Sequence, residues 1–464
     1  MVIAASSTRY SPLDGTALGT VSFASPAQAQ SIVDASRSAF PAWSATTLEA
    51  RGKMIRQAAS IIEAHTAELA DIVRRETGKP LAASVGEVGG AVDMGYLVAS
   101  HGRHASGHLL PSAIPHRHVR VQRIPLGVAL LIVTYNAPLP NYAWKVFPAL
   151  MAGNTVILKP SPTTAHSANR FAELLWEAGV PPEVLRVIHG EGDIASGLIE
   201  SGVDLVSFTG SYATGQKVVQ KSAVTLAKTI VELGGANPFI VCADADIDKA
   251  VETAIDSAYS NAGQRCSSAS RILVEESVYD DFRHRFLERT RTLTWGVEPD
   301  VDVSTLIDQR SAQAFEGFLS DAEKSGATVH RIGTRVGNPR DDSCLVQPAL
   351  VEGLGVDSEF AAAEFFGPAT RLFSFTDDED AIRIANASEY GLTAAVWSSD
   401  IGRAEMMVSR LEAGVINING PTHGAEINMP FGGVKHSGNG SRDAGIYSID
   451  QYSDVQVVST FFGV

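Results

Sequence analysis

Cys266 stands in Asn261-Ala-Gly-Gln-Arg-Cys266-Ser-Ser268, between a predicted helix and a predicted strand, in a run of small residues that lets a ligand approach the backbone. A lone cysteine is more often a buried, inert side chain than a nucleophile. Two other residues change that weighting. Glu232 ends an apolar strand in Val231-Glu-Leu-Gly-Gly235, where a carboxylate is either functional at a cleft or a solvated surface group. Asn136, in Thr134-Tyr-Asn-Ala-Pro138, ends another strand, and its amide either donates to an oxyanion or shapes the turn. A thiol, a base and an amide donor are what nucleophilic catalysis at a carbonyl carbon requires.

Two turns bear on phosphate binding. Gly190-x-Gly192-x-x-Ala195 follows a predicted strand and opens a helix, but no acidic residue clearly ends the next strand, which favours a plain turn over a dinucleotide fingerprint. In Phe208-Thr-Gly210-Ser211-x-x-x-Gly215 a strand ends at Gly210, and amides at the start of the following helix can face a pyrophosphate. His116 and His118 share a strand face without a Cys or carboxylate at ligand spacing, so they read as solvated and no metal is expected.

The elements that position these residues follow from hydrophobic periodicity. Leu48 to Lys79 carries the 3.6-residue stripe of one long amphipathic helix, closed by Gly78 and Pro80. From Val128 the pattern alternates strand and helix: 128–133, 141–151, 155–158, 165–178, 185–188, 193–201, 205–208, 212–222 and 229–232. Such alternation gives a doubly wound parallel sheet, because right-handed crossover helices cover both of its faces. A second α/β series begins near Pro238, with strands at 238–241 and 271–274 and helices at 247–259 and 278–292. The two units meet at Leu233-Gly234-Gly235, and ligands bind in clefts of this kind. His118–Ile124 and Tyr452–Val458 alternate like strands and are available to pair with another subunit.

Whole-chain properties exclude several classes. The 464 residues are 45% hydrophobic and 19% charged, which indicates a folded chain of about three structural units. Thirty-seven basic against 52 acidic residues give a net charge of -15 with no basic stripe, so nucleic acid is not an expected partner. The longest apolar run falls short of the roughly 20 residues a membrane span needs, and no secretory leader is visible; a cytoplasmic protein is expected. Cys242, Cys266 and Cys344 are too few and too dispersed for a disulfide framework.

Taken in order, the blocks Pro125-Leu-Gly-Val128, Tyr135-Asn-Ala-Pro138, Trp144-Lys-Val-Phe-Pro-Ala-Leu-Met-Ala-Gly-Asn154 and Leu158-Lys-Pro-Ser161 open a pattern. It continues through Phe208-Thr-Gly-Ser211, Glu232-Leu-Gly-Gly235, Gly263-Gln-Arg-Cys266, Glu364-Phe-Phe-Gly-Pro368, Tyr390-Gly-Leu392 and Pro430-Phe-Gly-Gly433. Over nearly its whole length the chain resembles the aldehyde dehydrogenase superfamily. The resemblance implies that Cys266 is the nucleophile, Glu232 the base that activates a hydrolytic water, and Asn136 the oxyanion donor. It implies a nicotinamide cofactor, NAD or NADP, with Lys159 and Glu364 at its two riboses, Phe366 beside Glu364, Ser161 and Pro162 after Lys159, and Gly210 and Ser211 in contact. The Gly190 turn becomes an ordinary loop.

Departures from the family pattern are informative. Pro162 stands where NAD-preferring members carry a glutamate, which removes a charge that repels a 2′-phosphate and predicts that NADP is accepted. Arg265 and the loop Gly420-Pro-Thr-His-Gly-Ala-Glu426 resemble branches that oxidise carboxylated aldehydes. Tyr135, Tyr142, Trp144 and Phe431 equally suit a pocket for an aromatic or medium-chain aldehyde. Retention of Glu232 argues against a coenzyme A-acylating enzyme, and the intact triad against a non-catalytic cofactor-binding protein.

The expected organisation is a cofactor-binding domain over 1–114 and 127–232 with part of 437–450, a catalytic domain over 233–436, and a small β oligomerisation element combining 115–126 with 451–464. By resemblance the protein is a homodimer or homotetramer.

Overall fold

The computed structural model describes residues 6–104, 107–338, 343–445 and 447–463. A hairpin, β1 (Ser6–Tyr10) and β2 (Ala17–Ser22), leads into four helices: α1 (Ala29–Ser44), α2 (Leu48–Ala64), α3 (Thr66–Thr77) and α4 (Leu81–Ser100). The long helix expected from Leu48 to Lys79 is thus two. The break falls at His65, whose Nδ1 lies 2.8 Å from Ile61 O while Thr66 Oγ1 donates to Glu63 O at 2.7 Å, so side chains compete for the carbonyls that would continue the ladder. Gly78, at φ 78°, ends α3 in the left-handed conformation that residues other than glycine adopt at a cost.

After β3 (Gly107–Leu110) and β4 (Arg117–Pro125), the chain alternates through β5 (Val128–Ile132), α5 (Pro138–Ala152), β6 (Thr155–Lys159), α6 (Ala165–Glu177), β7 (Leu185–Val187), α7 (Gly192–Glu200), β8 (Leu205–Thr209), α8 (Tyr212–Ala223) and β9 (Lys228–Glu232). The strands form one parallel sheet in the order β7-β6-β5-β8-β9. Every residue of β5 and β6 is buried, as expected of parallel strands covered on both faces. One face packs on α2 to α6 and the other on α1 and α7.

The second unit runs through β10 (Asn237–Val241), α9 (Ile247–Tyr259), β11 (Ala269–Glu275), α10 (Tyr279–Thr290), β12 (Thr294–Gly296), α11 (Gln309–Lys324), β13 (Thr328–Arg331), β14 (Thr334–Val336), β15 (Ala349–Glu352) and β16 (Ala369–Phe375). It closes with α12 (Asp378–Asn386), β17 (Tyr390–Gly391), β18 (Thr393–Trp397), α13 (Ile401–Val408), β19 (Val415–Ile418) and β20 (Val434–Lys435). Seven of these strands, in the order β13-β15-β16-β11-β10-β18-β19, build a sheet that is parallel except at β13 and has its own core.

The chain ends in α14 (Ser448–Gln451) and β21 (Ser453–Phe461). Strand β21 pairs antiparallel with β4 from Ser453↔Pro125 to Phe461↔Arg117, and β3 flanks β4 on the other side. The two segments read as available to another subunit therefore pair with each other, leaving β21 at a sheet edge. Asn154 hooks this element to the first sheet. Its Oδ1 accepts from Leu126 N and Gly127 N, at 2.8 and 3.0 Å, and its Nδ2 donates to Tyr452 O at 2.7 Å.

Candidate active site

The carboxyl ends of β5, β8 and β9 face the loop between α9 and β11 across a cavity of about 530 Å³. Asn136, Gly210, Ser211, Glu232, Arg265, Cys266, Glu364 and Phe366 all line it, with Tyr135, Trp144 and Phe431 forming an aromatic wall. Trp144 and Phe431 meet at 5.7 Å between ring centroids.

Tyr142 is not brought there. It is fully buried on the far side of α5, donating its hydroxyl to Thr164 O at 2.9 Å. Two positions along a helix turn side chains to opposite sides, so Trp144 and Tyr142 cannot share a pocket. Lys159, Ser161 and Pro162 lie outside the cavity at the end of β6, on the neighbouring strand. Gly190 and Gly192 follow the edge strand β7, away from Cys266.

The Cys266 loop is held from both ends. Asn261, Ala262 and Gly263 are all left-handed, at φ 56°, 53° and 67°, and a side chain at Gly263 would strike the Gly367 backbone. Beyond them, Asn237 Nδ2 donates to Cys266 O at 2.7 Å and to Ser268 O at 2.8 Å, fixing the loop to the start of β10. Two consecutive non-glycine residues in the left-handed region, Asn261 and Ala262, persist only where their surroundings over-determine them.

Charge in the cleft is under tension. Burial and the nearby Glu232 and Glu364 carboxylates push the Cys266 thiol up to about 12. Burial, reinforced by Asp443 and opposed by Lys145 and Arg442, raises Glu232 well above the usual carboxylate range. Neither Glu232 oxygen has a hydrogen-bond partner among the described residues. Behind it lies a buried ion pair, Lys145 with Asp443; Lys145 also donates to Ser207 Oγ at 2.8 Å, as does the Tyr452 hydroxyl at 3.2 Å.

Glu364 is folded over the Gly234-Gly235 turn, accepting from Gly235 N at 3.1 Å, and burial raises it to about 7. A side chain at Gly234 would occupy the space the Glu364 carboxylate takes. Asn136 Oδ1 is buried without a partner among the described residues. The Arg265 guanidinium, beside the nucleophile, makes no hydrogen bond or ion pair to any described residue; Asp256 acts on it electrostatically and itself lies 3.0 Å from His423 Nε2. Thr422 Oγ1 donates to Ser267 O at 2.7 Å, which brings the 420–426 loop against the residue after Cys266.

A dinucleotide fits these surroundings. Helix α8 opens at the cleft with Ser211 as its N-cap, no side chain capping its amides and no acid in its first turn, as anion binding by a helix start requires. Lys159 Nζ donates to Pro160 O at 3.2 Å and pairs with no carboxylate among the described residues; burial lowers it to about 8. Among the described residues no group of three or more His, Cys, Asp or Glu is placed to hold a metal ion, and no helix is long and apolar enough to cross a membrane.

The family model for aldehyde dehydrogenases matches residues 4–458. The chain belongs to the aldehyde dehydrogenase family. It is an oxidoreductase acting on an aldehyde with NAD or NADP. Among its relatives, 2-aminomuconic semialdehyde dehydrogenase of Danio rerio is 35% identical over 97% of this chain and 94% of its own. NADP-dependent succinate-semialdehyde dehydrogenase of Escherichia coli is 34% identical over 96% of this chain and 92% of its own. Betaine aldehyde dehydrogenase of Staphylococcus aureus, crystallised with NAD+, superimposes with a TM-score of 0.93 at 31% identity, covering 98% of this chain and 91% of that one.

Several residues at the site lie outside the reading of the sequence. Lys79 and Glu87 line the cavity, and the Lys145–Asp443 ion pair acts electrostatically on Glu232. Lys79 and Glu87 left a faint signal: Glu87 is one of two acids in the twenty residues of α4, a helix otherwise of small and apolar residues.

Proposed function

We propose that this aldehyde dehydrogenase oxidises an aldehyde bearing a carboxylate to the corresponding acid, through Cys266, Glu232 and Asn136. The observation that carries the substrate class is the unpaired Arg265 guanidinium in the wall of the cavity that holds Cys266. A desolvated cation without a carboxylate is costly in isolation, and an anionic substrate end offsets that cost. The relatives named for semialdehydes of dicarboxylic acids support the same reading.

In this mechanism the Cys266 thiolate adds to the aldehyde carbon to form a thiohemiacetal. The developing oxyanion accepts from Asn136 Nδ2 and the Cys266 amide. The chemistry a bound nicotinamide supplies is acceptance of the hydride that leaves this carbon. Glu232 then takes a proton from water, which attacks the Cys266 thioester and releases the acid. Lys159, Ser161, Gly210 and Ser211 would hold the cofactor, with Glu364 and Phe366 contributing from the cavity wall. The absence of a carboxylate at Pro162 supports use of NADP, and the β21–β4–β3 sheet is assigned to assembly of a homodimer or homotetramer.

The test is turnover of matched aldehydes with and without a terminal carboxylate, by wild type and Arg265→Gln. A charge-assisted hydrogen bond contributes about 1.5–3 kcal/mol, so kcat/KM for the carboxylated member should fall about 10- to 100-fold while the neutral one changes little. Equal losses on both would remove Arg265 from substrate recognition.

A further inference from the structure

The backbone carbonyl of Asn136 joins two parts of the molecule that chemistry requires to stay in register. Lys79, in the turn between α3 and α4, donates its ammonium to this oxygen. Asn261, the first left-handed residue of the nucleophile loop, donates Nδ2 to it at 3.1 Å and also to Gln264 O at 3.2 Å. Each donor is anchored in turn. Lys79 is ion-paired with Glu87 of α4, their side chains being 3% and 13% exposed. Gln264 donates to Thr305 O at 3.2 Å and accepts from Ile307 N at 3.0 Å.

The side chain of Asn136 lacks such anchors, since its Oδ1 has no partner among the described residues. Residues 134–137 sit between β5 and α5, outside any ladder. What aims the amide is therefore the placement of its own backbone. We propose that Lys79 and Asn261 are positioning residues that clamp the Asn136 carbonyl, tying the oxyanion donor to the loop that carries Cys266. The inference rests on the reading of Asn136 as oxyanion donor and Cys266 as nucleophile.

The experiment is a double-mutant cycle on the full-length enzyme: Asn136→Ala, Lys79→Met and the pair, with kcat, KM for the aldehyde and NAD(P)+ dissociation by fluorescence measured for each. Asn136→Ala should lower kcat about 10²- to 10³-fold, the effect of losing one oxyanion donor. Lys79→Met should lower kcat about 10- to 100-fold, as small misplacements do, with cofactor dissociation unchanged. In the Asn136→Ala background the same change should cost almost nothing. A loss of equal size in both backgrounds, or one confined to KM or cofactor binding, overturns the clamp. An unchanged kcat in Asn136→Ala overturns the oxyanion reading beneath it. If Lys79→Met does not fold, Asn261→Ala runs the same cycle from the other donor, and the same outcomes decide.

Discussion

Burial and two nearby carboxylates push the Cys266 thiol up to about 12, which favours its protonated form at neutral pH. Glu364, folded against Gly235, contributes to that state; moving it away removes one of the carboxylates that disfavour thiolate. Alkylation of Cys266 by iodoacetamide should accordingly accelerate on addition of NAD(P)+, and an unchanged rate would count against Glu364 as the brake. The reactive forms of Cys266 and Glu232 are both deprotonated, and both groups are raised. The sign follows: kcat/KM, which reports the free enzyme, should climb as pH rises from about 7 towards 10, and a flat profile across that range would contradict it. Glu232→Gln should leave a burst of reduced cofactor followed by steady-state turnover about 10²- to 10⁴-fold slower, read by stopped flow. The sequence singled out Cys266, Glu232 and Asn136 because each sits in a short block whose residue types suit carbonyl chemistry, and the fold brings all three to one cavity. Lys145 and Asp443 were not singled out, because their pairing spans most of the chain and only folding brings them together.

Among elements, the alternating strands and helices between Val128 and Glu232 could be read to within a few residues, since continuous apolar runs and amphipathic stripes have different periods. The break at His65 escaped that reading because periodicity continues across it while hydrogen bonding does not. Tyr142 was misplaced for a related reason: its sequence neighbours line the cavity, but its helical phase points it into the core. The reading that the turn after β6 sets cofactor choice is tested at Pro162. Pro162→Glu would set a carboxylate two residues beyond Pro160, near the buried Lys159, and should lower kcat/KM with NADP about 10-fold or more relative to NAD. Unchanged selectivity in parallel assays would place 2′-phosphate recognition elsewhere. Asn154→Ala strips the acceptor from two backbone amides and a donor from Tyr452 O, and should cost about 2–4 kcal/mol in chemical denaturation.

At the scale of the whole molecule, two independently cored sheets enclose one cleft, and the third sheet leaves Leu109, Leu110, Val455, Val457 and Phe461 exposed. Such a surface on an edge strand favours burial against a second copy, so light scattering should give a mass above 49.1 kDa, and removal of 453–464 should shift it down. Asp443 and Tyr452 belong to the last stretch of the chain, yet they complete the surroundings of a base contributed by its middle. During synthesis, therefore, all five strands of the first sheet emerge while Glu232 still lacks Asp443 and Arg442 beside it. A polypeptide released early from the ribosome would carry Glu232 and Cys266 but lack Asp443 and Tyr452, and so would hold its carboxylate in a different electrostatic setting.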